Sequence, residues 1–82
     1  MKIEILTPEK IMFQGEADSV NLPTPAGYIT ILPNHASLIS AVSDGKITVK
    51  SGTGESKFFT QGGAVEVAAD KVTMLLRVPK TD

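Results

Sequence analysis

Asp44-Gly45-Lys46-Ile47-Thr48-Val49-Lys50-Ser51-Gly52-Thr53-Gly54 is the stretch that decides the fold class of this 82-residue chain. Ile47 and Val49 alternate with Lys46, Thr48 and Lys50, so an extended segment here has one apolar face and one polar face. Asp44-Gly45 can supply the positive φ that a tight hairpin turn needs, and Ser51-Gly52-Thr53-Gly54 reads as the tip of the next hairpin. The same period of two returns at Ile3 and Ile5, Val20 and Leu22, Val65 and Val67, and Val72 and Met74. Turn residues separate these runs at Thr7-Pro8, Gly15, Pro23 with Pro25 and Gly27, Pro33-Asn34, Gly62-Gly63 and Asp70. No window carries apolar residues at i, i+3, i+4 and i+7 for the length a helix would want. The prediction is all-β: an about ten-stranded antiparallel β-sandwich or flattened barrel, with little or no helix. A single open sheet of this length would leave one apolar face wet.

Working outward, the length fits one domain that buries roughly 60 to 65% of the unfolded chain's surface. Residues 1–78 are expected to form the sandwich and Pro79-Lys80-Thr81-Asp82 a polar tail. The absence of cysteine excludes disulfides, thiol catalysis and cysteine-held metal. A formal net charge of −1 with one arginine offers no broad attraction to nucleic acid or anionic lipid. Met1-Lys2 leads straight into Ile3-Glu4-Ile5, so no targeting segment is expected, and no stretch approaches the roughly 18 apolar residues of a membrane span. Residence on the cytoplasmic side is the default expectation.

Candidate chemistry is sparse. Glu4, Glu16 and Glu66 fall on the polar side of strands, where solvated surface explains them. His35 is the only imidazole, which excludes a histidine-rich metal site within one chain, and a Ser-His-Asp reading would rest on residue availability alone. Gly62-Gly63 lacks the Lys-Ser/Thr ending of a phosphate loop and leads into a strand, so it reads as a corner. Adjacent Phe58 and Phe59 should point to opposite faces of a strand, one toward the core and one toward the surface. Met12-Phe13 breaks strict alternation before Gly15, as a buried strand or a bulge would. No catalytic, cofactor-binding or metal-binding residue is expected.

The least generic segment is Pro25 to Leu38, which gathers a glycine turn, a short apolar strand, a Pro-Asn turn and the lone histidine. Four blocks stand in order: Leu6-Thr7-Pro8-Glu9, Met12-Phe13-Gln14-Gly15, Gly27 through Leu38, and Gln61 through Val67. Together they resemble the N-terminal β-sandwich of the epsilon subunit of rotary ATP synthases. The most specific pieces are Gly-x-x-x-Ile-Leu-Pro-x-His-Ala-x-Leu at Gly27 to Leu38 and Gly-Gly-x-x-Glu-Val at Gly62 to Val67. The resemblance implies a non-catalytic subunit at the foot of the central stalk, coupling the gamma subunit to the c ring while other subunits hold the catalytic sites. It implies that Ala26, Gly27 and Tyr28 lie toward the c ring, and that His35, Ala36 and Ser40 lie toward gamma. It also implies a place on the cytoplasmic face of the bacterial inner membrane, reached only through the complex.

Some positions depart from the family pattern. Tyr28 stands where an acidic residue or Phe is common, Asn34 where Gly is common and Ser37 where Pro is common. Asn tolerates the left-handed turn, whereas Tyr28 keeps an apolar contact but not an ionic one. Relatives continue into two helices that can inhibit ATP hydrolysis and in some members bind ATP. Here Arg77-Val78-Pro79 precedes Asp82, so a sandwich-only form is expected, without the helical inhibitory switch and without ATP binding by this chain alone. Two other readings remain: a small sandwich or barrel binding a ligand or peptide in its mouth or along an edge, which a deep cavity lined by Phe13, Phe58 or Tyr28 would support, and a hydrolase in which His35 meets an acidic residue and a Ser or Thr in one cleft.

Overall fold

The structure, a computed structural model, describes residues 1–77, and the expected tail at 79–82 lies outside that range. Nine strands follow one another: β1 (Lys2–Leu6), β2 (Ile11–Glu16), β3 (Ser19–Thr24), β4 (Gly27–Ile31), β5 (Leu38–Val42), β6 (Gly45–Ser51), β7 (Gly54–Thr60), β8 (Gly63–Ala68) and β9 (Lys71–Leu76). They form a five-stranded sheet in the order β2-β1-β9-β8-β5 and a four-stranded sheet in the order β4-β3-β6-β7. The all-β sandwich is therefore as expected, and the described residues contain no helix. Both sheets keep free edges, so the fold is a sandwich and not a closed barrel.

The core follows from the alternation. Ile3, Ile5, Val20, Leu22, Ile31, Ile47, Val49, Val65, Val67, Val72, Met74 and Leu76 turn inward between the sheets and are buried. Each fully buried side chain of this size contributes roughly 1.5–3 kcal/mol, and this common interior is what holds two thin sheets together.

Three local details differ from the sequence reading or refine it. The first and last strands pair in parallel, Lys2 opposite Lys71 through Leu6 opposite Leu75, whereas an antiparallel sheet was expected throughout. No turn joins β1 to β9, so no local sequence pattern fixes their relative direction. Asp44-Gly45 is not a hairpin turn, because β5 pairs with β8 while β6 pairs with β3 and β7. The chain there crosses from one sheet to the other. The Gly52-Thr53 tip is a true hairpin, closing Ser51 opposite Gly54. Gly52 has φ 60° and Thr53 is not in the positive-φ set, the arrangement of a type II′ turn whose first central position favours glycine.

Of the two readings of Met12-Phe13, a buried strand or a bulge, the structure shows the bulge. Ile5 opposes Phe13 and Leu6 opposes Ile11, leaving Met12 as the extra residue, with both side chains packed against the core. Phe58 also packs inward while Phe59 is exposed. Phe13 and Phe58 meet edge to face, their ring centroids 6.1 Å apart, and fill the space between β2 and β7. The Gly62-Gly63 corner is set by close approach: a Cβ on Gly63 would sit 2.1 Å from the Leu75 carbonyl oxygen.

Candidate docking surface

Hydrogen bonds gather the loops into two ends. At one end the Gly52 amide donates to Asp18 (2.8 Å), the Ala17 amide to the Met1 carbonyl (2.9 Å) and the Asn34 amide to the Asp70 carboxylate (3.0 Å). At the other end the Ser43 amide donates to the Pro23 carbonyl (2.9 Å), the Lys46 amide to the Tyr28 hydroxyl (3.2 Å) and the Arg77 amide to the Gly62 carbonyl (2.8 Å).

The outer face of the five-stranded sheet changes character along its length. Nearest the Arg77 end, the register aligns Ile11, Leu6, Leu75, Ala64 and Ala41 in one cross-strand row. Their sequence neighbours Ile5, Met74, Val65 and Val42 point into the core, so this row points out. Ile39 lies one row away on the same face, opposite Glu66. Exposure is large: Ile11 55%, Leu75 52% and Ile39 79%. Ile39, Ala64, Thr73 and Leu75 border a shallow hollow there. Beyond it the face turns polar, with Gln14 donating to Glu4 (3.3 Å) and Lys71 paired to Glu4 (3.8 Å). An apolar strip rimmed by charge is the composition of an interaction surface.

No sequence signal was used to single out Leu6, Ile11, Ile39, Ala41, Ala64 or Leu75, although one was present. Leu6 and Leu75 are apolar residues in the polar phase of alternating strands, next to the in-phase Ile5 and Met74.

The residues expected from the family resemblance fall into separated groups. Ala26, Gly27 and Tyr28 form the tip of the β3–β4 hairpin, where the Thr24 hydroxyl donates to the Gly27 carbonyl (2.7 Å). Tyr28 is 58% exposed, and Lys46, whose amide it accepts, stands opposite the exposed Phe59. His35 and Ala36 lie at the opposite end, in the loop before β5 that reaches Asp70 through Asn34. His35 Nδ1 stands 2.6 Å from the Ala36 carbonyl, an acceptor, so in this rotamer Nδ1 carries the hydrogen. Ser40 sits midway along β5, on the inward side of that edge strand, its hydroxyl donating to the Ala41 carbonyl (2.9 Å). Within β4, Tyr28 stands about 10 Å from Ile31 at 3.3 Å per residue, and Leu32 to Asn34 follow before His35, so one segment serves both ends. Among the described residues, no group of three His, Asp or Glu side chains converges as a metal ion would need.

A family model described as the β-sandwich domain of the ATP synthase delta/epsilon chain matches residues 1–78. The ATP synthase epsilon chain of Endomicrobium trichonymphae is 36% identical over 74 residues, covering 90% of this chain and 54% of that one. The epsilon chain of Parasynechococcus marenigrum is 38% identical over 76 residues, covering 93% and 56%. The chain thus spans a little over half the length of these relatives. Among solved structures, a chain of the Tetrahymena thermophila mitochondrial ATP synthase central stalk and c ring superposes with a TM-score of 0.83 at 15% identity, covering 95% of this chain and 63% of that one. A chain of the Euglena gracilis mitochondrial ATP synthase gives 0.85 at 16% identity, covering 90% and 48%. At such low identity these two likenesses speak to the fold.

Proposed function

The chain belongs to the ATP synthase delta/epsilon β-sandwich family, and from that membership we propose that it is a non-catalytic central-stalk subunit coupling the gamma subunit to the c ring. Catalysis then belongs to other subunits, and this chain acts by holding surfaces together. It reaches the cytoplasmic face of the bacterial inner membrane as part of that complex.

The observation that carries this reading is the exposed apolar row on the outer face of the five-stranded sheet. Leu75, Ile39 and Ile11 serve no intramolecular packing that would repay their exposure, and a persistent partner is the physical reason for such a strip. Gamma is assigned to this row and to the β5 edge that carries Ser40, together with the loop of His35 and Ala36 that leads into it. The ring is assigned to the Ala26–Tyr28 tip at the other end of β4, with Phe59 added by its position beside Lys46. Tyr28 and Phe59 offer apolar contact there instead of an ionic one.

A ligand-binding module would need space beside Phe13, Phe58 or Tyr28. Phe13 and Phe58 pack on each other and Tyr28 is bonded to the Lys46 amide, which argues against it. The test is binding of the complete subunit to the gamma subunit of the same organism, followed by calorimetry. Leu75→Asp should weaken gamma binding about tenfold or more, because a buried leucine contributes roughly 1.5–3 kcal/mol, while leaving the melting temperature near that of the parent. Absence of a complex at micromolar concentration, or unchanged affinity in Leu75→Asp, would sink the proposal.

A further inference from the structure

The sandwich has four edge strands, and they are not alike. β2 ends in Glu16 and carries the Met12 bulge. β7 carries Glu55 and Lys57, which pair at 3.4 Å across its exposed side. β4 begins at Gly27 and is framed by Pro25 and Pro33. Charge, bulges and proline are the devices by which edge strands avoid joining another chain. β5 has none of them: Leu38-Ile39-Ser40-Ala41-Val42 contains no charge, glycine or proline. Its Cα register to β8 is regular over all five positions. Among the described residues, its backbone makes no backbone–backbone bond outside that ladder, and the one side-chain bond to it is the Ser40 hydroxyl on the Ala41 carbonyl. Ile39 on this strand, at 79%, is more exposed than any other large apolar side chain described.

We propose that β5 is a self-pairing edge: two copies of this chain join antiparallel through Leu38–Val42, merging their five-stranded sheets about a two-fold axis at Ser40. The strand is complementary to itself in that register. Leu38 opposes Val42 of the second copy and Ser40 opposes Ser40, all on the inward side. Ile39 opposes Ala41 twice on the outer side, a large residue against a small one at each position. The Ser40 hydroxyl, which now donates to the Ala41 carbonyl, is a rotatable partner that a backbone amide of the second copy can replace. Because Ile39 and Ala41 are covered in the pair, self-association and docking of another protein on that flank exclude each other. The inference stands on the anatomy of the edges and does not rest on the stalk reading.

Sedimentation equilibrium on the full chain from about one to several hundred micromolar should show a reversible monomer–dimer equilibrium. At the high end, hydrogen exchange should slow at the Leu38–Val42 amides and at no other edge. Ile39→Lys should weaken dimerisation about tenfold or more, since each dimer loses two apolar contacts. Leu32→Lys, at another exposed apolar residue, should leave it unchanged. A monomer throughout the range would overturn the proposal. So would a dimer that Ile39→Lys retains with β5 unprotected, or growth beyond a dimer, since a two-fold pair is closed. Failure here would leave gamma binding untouched, so the two proposals fail separately.

Discussion

Replacing Ala69 by glycine should stabilise the domain. Ala69 and Asp70 are the two central residues of the β8–β9 hairpin, with φ values of 51° and 60° between the paired Ala68 and Lys71. Two successive positive φ angles make a type I′ turn, whose twist suits the flanking strands and whose usual occupants are Asn and Gly. An alanine held there costs about 1–2 kcal/mol, because its Cβ crowds the following carbonyl. Glycine removes that cost but returns about 0.4–1 kcal/mol of chain entropy to the unfolded state. The side chain of Ala69 is exposed, so no packing is lost. The net gain is about 0.5–1 kcal/mol, which for a domain of this size raises the melting temperature by about 2–8 °C. Ala69→Asn should gain a similar amount, since asparagine tolerates the left-handed region. Asp70→Gly should gain nothing, because its carboxylate accepts the Asn34 amide and lies 4.0 Å from the N-terminal ammonium. Urea titration and thermal scans of the three variants, with Ala68→Gly as a strand control, separate turn strain from generic glycine entropy. If Ala69→Gly loses as much stability as Ala68→Gly, the strain argument is wrong.

Two further outcomes follow from the packing. Gly63→Ala should abolish folding or cost more than about 4 kcal/mol, because the new Cβ would lie 2.1 Å from the Leu75 carbonyl and backbone cannot yield that far; loss of the β signal in circular dichroism at 25 °C would report it. Substituting Phe13 and Phe58 singly and together with leucine should show a coupling of about 0.5–1.5 kcal/mol in urea titrations, the value expected of an edge-to-face aromatic pair; additive effects would refute a direct contact.

The sequence made the layers legible and left the connections between them obscure. Alternation at Ile47 and Val49, or at Val72 and Met74, reports which side chains face inward, and all four are buried. It cannot report whether a turn returns the chain to the same sheet. Asp44-Gly45 has the chemistry of a hairpin yet crosses between sheets, and a Cβ on Gly45 would meet the Tyr28 hydroxyl at 2.7 Å and Pro23 at 2.9 Å. That demand is tertiary and leaves no local mark. The parallel pairing of β1 with β9 is equally hidden, because nothing between the strands constrains it. At the candidate site, Ala26–Tyr28 and His35 were singled out by the family resemblance, within the least generic segment. The apolar row was not, since its members come from β1, β2, β5, β8 and β9 and meet only through register.

The same register explains why a chain with so little reactive chemistry can still be specific. A period-two strand can mark a surface residue only by breaking phase, and Leu6, Leu75 and Ile39 each do so beside a residue that remains in phase. Cross-strand pairing then multiplies single irregularities into a continuous strip, although no strand contributes more than two residues to it. The Pro25–Leu38 segment works differently: β4 is a rigid spacer that holds the Tyr28 tip and the His35 loop at opposite ends, each fixed by a bond to a distant part of the chain, Lys46 in one case and Asp70 in the other. A partner drawing on one end therefore loads the hydrogen-bonded ladder of β4 and β3, and through the shared core the five-stranded sheet as well. For a subunit proposed to sit between a shaft and a ring, separated contacts on a stiff two-layer body are what coupling requires, and a flexible linker between them would dissipate it.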